Sequence, residues 1–196
     1  KTENQLKIKY MKRLSIFLAA LLFGFTTIAQ ESVNISKSEI KWKGKKVTGE
    51  HWGYVKLKKG TLEIKDNEIV SGKFIVDMTT INNEDLEDKK WNDKLVGHLK
   101  SDDFFSVEKY PESTLKVNES TSFKNGEAAV EGELTIKDIT YPVSFIVKKS
   151  DNVYTTTVTI DRTKYNIKYG SGKFFDNLGD NMIYDDFTLE VKIVTE

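Results

Sequence analysis

The chain has 196 residues, with 30 Lys and Arg against 30 Asp and Glu, so its formal net charge is zero. It contains no Cys, two His and two Pro, and 38% of its residues are hydrophobic. This size suits one domain with a real core. The missing Cys excludes disulfides, thiolate metal sites and cysteine nucleophiles, and the neutral balance disfavours a nucleic-acid surface.

The first predicted element is a leader. Lys12 and Arg13 precede an apolar run from Leu14 to Phe25, and Thr27-Ile28-Ala29 then puts small residues at −3 and −1 before Gln30. That is the pattern of a secretory signal peptide over residues 11–29, cleaved after Ala29. The run falls short of the roughly 18 apolar residues that a membrane-spanning helix requires. Residues 1–10, ahead of Met11, read as an upstream extension. Export would place residues 30–196 in the periplasm or outside the cell, with no Cys at the cleavage point to carry a lipid anchor. Loss of residues 1–29 leaves 25 basic and 29 acidic residues, a charge of −4. Such acidity disfavours nucleic acid and anionic membrane surfaces as partners.

From Gln30 onward the dominant period is two, the mark of strands with one buried face. In chain order the strand candidates begin with Ile40/Trp42, Val55/Leu57, Leu62/Ile64 and Phe74/Val76/Met78. Turn signals stand at Lys59-Gly60 and Asp66-Asn67. Residues 82–101 break the pattern: the segment is polar, and Leu86, Trp91, Leu95 and Leu99 recur at roughly helical spacing. It reads as one helix or two short ones, capped by Asn82 or Asn83, with Glu84 and Asp85 in the first turn. Strands resume at Leu115/Val117, then at Val130, Gly132, Leu134 and Ile136 after an Asn125-Gly126 turn. Asp138 to Pro142 reads as a short connection, since Pro142 cannot donate to a central ladder. Val143/Phe145/Val147 follow, then a turn at 150–152, Val158/Ile160, and finally Phe187, Leu189, Val191 and Ile193. Hairpins in series make an antiparallel meander, and closing it into a barrel removes the exposed edges.

Catalytic patterns are sparse. His51 falls in a strand beside Trp52 and His98 at the end of the helical insert, and there is no HxH, HExxH or GxSxG motif. No metal or cofactor is expected. Asp176 to Asn181 is oxygen-rich but departs from the EF-hand pattern, and turn chemistry feeding the last strand is favoured. Glu84, Asp85, Glu87 and Asp88 read as a solvated acidic helix start. The apolar face says more. Alternation directs Trp42, Phe74, Val76, Leu115, Val117, Leu134, Ile136, Val143, Phe145, Val158, Ile160, Leu189 and Val191 inward. A barrel of about eight strands can be filled by such side chains or can hold one ligand, and alternation fits both. A strand such as 128–137 spans about 33 Å, tall enough for an elongated hydrocarbon.

Three segments carry a family resemblance. GHLKSDDFFSVEKYP (Gly97–Pro111), EGELTIKDITYPVSF (Glu131–Phe145) and IDRTKYNIKYGSGKFFDNLGDNMIYDDFTLEVKI (Ile160–Ile193) resemble blocks of the YceI-like family of exported polyisoprenoid-binding proteins. The last has an extended YGSGKFFDNLGD loop, and SEIKWKGKKVTGEHWGYVKLKKG looks like the family's opening hairpin. The resemblance implies an all-β fold, an extended lipocalin-like antiparallel barrel of about eight strands with a short helical insert. It also implies a long isoprenoid, fatty-acyl or other amphiphilic lipid held in the barrel, and no enzymatic activity. Phe104 and Phe105 are then candidates for the mouth, and His98 and Lys100 for a polar head group. Two alternatives stand beside this reading: a lipid-modifying hydrolase using His98 with nearby carboxylates, and a structural or stress-response barrel with a packed, ligand-free core. A homodimer is left open.

Overall fold

The computed structural model describes residues 29–196. The leader read over 11–29 (apart from Ala29) and the extension 1–10 lie outside the described residues. Nine strands follow in order: β1 Ala29–Ser32, β2 Glu39–Lys46, β3 Gly49–Lys65, β4 Glu68–Asp77, β5 Glu112–Ser120, β6 Glu127–Ile136, β7 Ile139–Ser150, β8 Val153–Asp161 and β9 Ile183–Val194. One helix, α1 (Lys89–Lys100), lies between β4 and β5. All pairings are antiparallel. The sheet runs β3-β2-β9-β8-β7-β6-β5-β4, and β4 pairs back onto β3, so eight strands close a barrel. β1 is a ninth strand laid on the second half of β3, with Ala29 opposite Ile64.

The turns follow from residues that tolerate left-handed backbone. Asp66 and Asn67, Asn125 and Gly126, and Lys137 and Asp138 all have positive φ, the geometry of tight two-residue hairpins. Lys59-Gly60, expected as a turn, is instead inside β3. The register with β4 shifts between Leu57 and Lys59, so the extra residue is absorbed as a bulge. This bulge lets one 17-residue strand pair with β2 along its first half and with β4 along its second. Gly60 is small for a packing reason: a Cβ there would stand 3.0 Å from the Val33 side chain.

The helical insert is shorter than its sequence pattern. Residues 82–88 form a loop, and the cap is Asp88, whose carboxylate accepts the N–H groups of Lys90 (2.9 Å) and Trp91 (3.2 Å). Asn82, Asn83 and Asp85 are drawn off to β3: Tyr54 N–H donates to the Asn82 side chain (2.6 Å), Trp52 N–H donates to Asp85 (2.7 Å), and Asn83 donates to Trp52 O (3.0 Å). The loop crosses β3 at Gly53, where a Cβ would come within 2.2 Å of the Asn82 carbonyl oxygen. Of the four apolar residues at helical spacing, only Leu99 is buried, and Trp91 is 54% exposed. The expected 138–142 connection is also shorter. Lys137 and Asp138 alone make the turn, and Pro142 stands within β7 opposite Glu133.

Candidate functional site

The inward positions of the closed sheet surround an elongated cavity of two lobes. Each lobe has a volume of about 120 Å³. Ile40, Val76, Ser113, Leu134 and Leu189 line both lobes and form a waist between them. The upper lobe is walled by Leu57, Leu62, Ile69, Phe74, Leu115, Val117, Val130, Val143, Phe145, Val147, Val158, Ile160, Val191 and Ile193, with Tyr154 and Thr156 among them. The lower lobe is walled by Trp42, Val55, Ile136 and Phe187, and is closed by Met78, Ile81, Leu99, Phe104, Phe105, Ile167 and Arg162. Apolar walls of this kind exclude polar molecules by leaving their hydrogen bonds unmade, and they favour hydrocarbon at roughly 0.8 kcal/mol per buried methylene.

All thirteen residues chosen by alternation stand on this wall: Phe74, Leu115, Val117, Val143, Phe145, Val158, Ile160 and Val191 in the upper lobe, Trp42 and Ile136 in the lower, and Val76, Leu134 and Leu189 at the waist. Phe104 and Phe105 line the lower lobe, as ring packing between the loop after α1 and the barrel. His98 and Lys100 do not line it. The His98 ring stands edge-on to Tyr169 (4.4 Å between centroids) and Phe104 (5.0 Å), and its Nε2 is 3.8 Å from Asp103. Lys100 donates to the carbonyl of Thr79 (2.7 Å). His51 is likewise engaged, with Nδ1 2.7 Å from Asp85. The acidic segment before α1 is therefore not a solvated run throughout. Partial burial raises the Asp85 carboxyl, but bonds from Trp52 N–H, His51 and Asn83 outweigh it and hold the group below the usual carboxylate range. Residues 176–181 form exposed loop leading through a short turn, Gly179–Asn181, into β9.

Two residues of the site were not singled out from the sequence. Tyr154 closes the upper lobe: its ring is buried beside Phe123 (6.2 Å), and its hydroxyl donates to Glu31 on β1 (3.0 Å). Burial, reinforced by the Glu31 charge, pushes the phenol well above its ordinary value. Arg162 closes the lower lobe. It is 3% exposed, and its guanidinium donates to the carbonyls of Ile167 (2.8 Å), Ile183 (3.0 Å) and Tyr184 (3.1 Å). Asp185 lies 3.6 Å away, with one buried oxygen that accepts no hydrogen bond. Burial pulls the guanidinium below its ordinary value while Asp185 and Asp161 oppose the shift. A signal for Arg162 exists in the sequence: it is the single Arg after residue 13, every other cation from Gln30 onward being Lys. A planar fork of donors can bridge three carbonyls where an ammonium on a flexible stem cannot.

Solved structures share this barrel. BcnA from Burkholderia cenocepacia superposes with a TM-score of 0.65 at 21% identity, over 84% of this chain and 99% of that one. A polyisoprenoid binding domain from Saccharophagus degradans, implicated in plant cell wall breakdown, gives 0.57 at 13% identity over 87% and 99%. The Campylobacter jejuni YCEI protein gives 0.51 at 18% identity over 72% and 84%. No curated protein matches the chain. The model of the YceI-like domain matches residues 32–195, from the end of β1 to the residue after β9, and with the closed barrel and its helical insert this shows that the chain belongs to the YceI-like family.

Proposed function

We propose that the protein is an exported, non-enzymatic binding protein that holds a long-chain isoprenoid or other amphiphilic lipid inside its barrel, outside the cytoplasm. The observation that carries this reading is the pair of adjoining apolar lobes, whose walls come mainly from strand side chains of Val, Ile, Leu and Phe and which share Ile40, Val76, Ser113, Leu134 and Leu189. A dozen methylenes within it would gain about 10 kcal/mol before ordering costs, so affinity requires no catalytic group. The polyisoprenoid binding described for the Saccharophagus domain supports the same ligand class. The export signal over 11–29 supports the location. His98, wedged between Tyr169 and Phe104 and off the cavity wall, gives a hydrolase no nucleophile–base pair to act on a chain held inside.

Native mass spectrometry of the protein expressed with its leader, followed by organic extraction, tests both halves. The expected result is a chain beginning at Gln30 with a co-purifying lipid, or uptake of polyprenyl and fatty-acyl probes by the stripped protein. A stripped protein that takes up neither probe, and from which no lipid is extracted, would sink the binding reading.

A further inference from the structure

One seam of the barrel wall is split. β7 and β8 are joined only by Lys148–Thr155, Lys149–Tyr154 and Ser150–Val153, next to their turn. By contrast β6 and β7 pair from Glu127–Lys148 to Ile136–Ile139, and β8 and β9 pair from Val153–Val194 to Asp161–Asp186. The tight turn at 137–138 makes Ile136 and Ile139 a hydrogen-bonded pair, so odd-numbered residues of β7 bond β6 and even-numbered ones turn their backbone toward β8. Pro142 is even-numbered. It therefore withholds an N–H on the side where no acceptor strand is met. Beyond it, the Ile146 carbonyl is met by a side chain, the Thr156 hydroxyl, which donates to it at 2.7 Å.

The upper lobe reaches this split from both sides. Val143 and Phe145 of β7 and Val158 of β8 face inward and line the lobe, yet all three are only half-buried. An outer groove, lined by Ile146, Thr155, Thr156, Thr157 and Val191 with the charged Glu39, Lys148, Glu190 and Lys192 around them, shares Thr155, Thr156 and Val191 with the lobe. Ile146 stands 50% exposed beside it. The two ends of the barrel are covered instead. Tyr154 and Glu31 close the upper end, and α1 with Phe104 and Arg162 closes the lower. A long chain entering end-on must displace one of these covers and then thread its full length. A chain entering side-on at the β7–β8 seam crosses no strand pairing, because between Val147 and Ile139 there is none to break.

We propose that this seam is a lateral portal through which the lipid's hydrocarbon chain enters and leaves the upper lobe, with Thr156 as its latch. The proposal rests on the lipid-binding reading above. Its test is a lock. Continuing the β7–β8 register pairs Ile146 with Thr157, two outward residues that do not line the lobe. In a chain without Cys, Ile146→Cys with Thr157→Cys creates the one available disulfide, and a short bis-maleimide bridges the thiols if oxidation does not. Stopped-flow exchange of a fluorescent fatty-acyl probe is read alongside its equilibrium affinity. The bridged protein is expected to bind the probe with unchanged affinity but to exchange it at least about tenfold more slowly, with reductant restoring the rate of the disulfide form. Thr156→Val is expected to speed exchange about fivefold, the ratio one neutral hydrogen bond supports. Normal binding with rates indifferent to the bridge and to Thr156→Val would remove the portal alone. An unmodified protein that binds no probe would remove the lipid-binding reading and the portal with it.

Discussion

The upper lobe ends where β1, Phe123 and Tyr154 lie over the strand ends, while the lower lobe ends against α1, the 82–88 loop and the 162–168 turn. At the upper end the cover is itself a strand, β1 paired with β3, and one Tyr–Glu bond ties it to β8. In the lower lobe the chain leaves sheet geometry twice, and side chains take over the work of the ladder. Trp42 Nε1 donates to Asn82 O (2.9 Å), Asp85 accepts Trp52 N–H, and Arg162 serves three carbonyls. The comparison teaches that closing a barrel with irregular chain requires buried polar side chains in proportion to the backbone left unpaired.

The largest expected effect breaks the lower cover. Arg162→Ala strands three carbonyls and leaves Asp185 with Lys173 as its one cation among the described residues, and is expected to cost about 3–5 kcal/mol by chemical denaturation, with Arg162→Lys recovering only part of it. A loss below 1 kcal/mol would mean the fork is dispensable. The second effect separates the lobes. Leu134→Trp at the waist is expected to weaken binding of long-chain probes at least about tenfold, or 1.4 kcal/mol, while chains short enough for one lobe keep their affinity. Equal losses for both lengths would show that the lobes do not act as one tunnel.

The smallest effect is a pH dependence confined to the lower end. The folded-state value of Asp85 is depressed, so its contribution is complete above its unfolded value near 4 and is lost as pH falls through the folded value. Asp85→Asn should therefore be less stable than the parent at neutral pH and converge with it in acid. Urea midpoints across pH 2 to 7 measure this, and a constant gap across the range would count against the assignment.

The barrel was legible because its signal is local. Val130, Leu134 and Ile136 point inward for the same reason they alternate in sequence, and residues with a taste for positive φ mark three of the hairpin turns. What misled was context. Lys59-Gly60 has turn composition, yet β3 runs through it, because pairing with Ile75 and Phe74 of β4 and Val33 packed beside Gly60 hold it extended. Asn82 and Asn83 have the composition of helix caps, but backbone N–H and C=O groups on β3 compete for them and win. The sequence marks Arg162 only as a lone Arg among Lys, and its role stayed hidden because it depends on carbonyls contributed from both sides of residues 168–182, at Ile167 and at Ile183 and Tyr184.

By itself the sequence determined the strand faces, the thirteen inward residues and the family, since period-two burial and short motifs are properties of consecutive residues. Only the tertiary structure decided that those faces enclose two lobes with a waist, that His98 and Lys100 lie off their walls, and that the wall is split between β7 and β8. Each of these depends on which backbone edges meet across the barrel. Pro142 hinted at a missing donor, but only the arrangement of neighbours showed which strand it failed to reach.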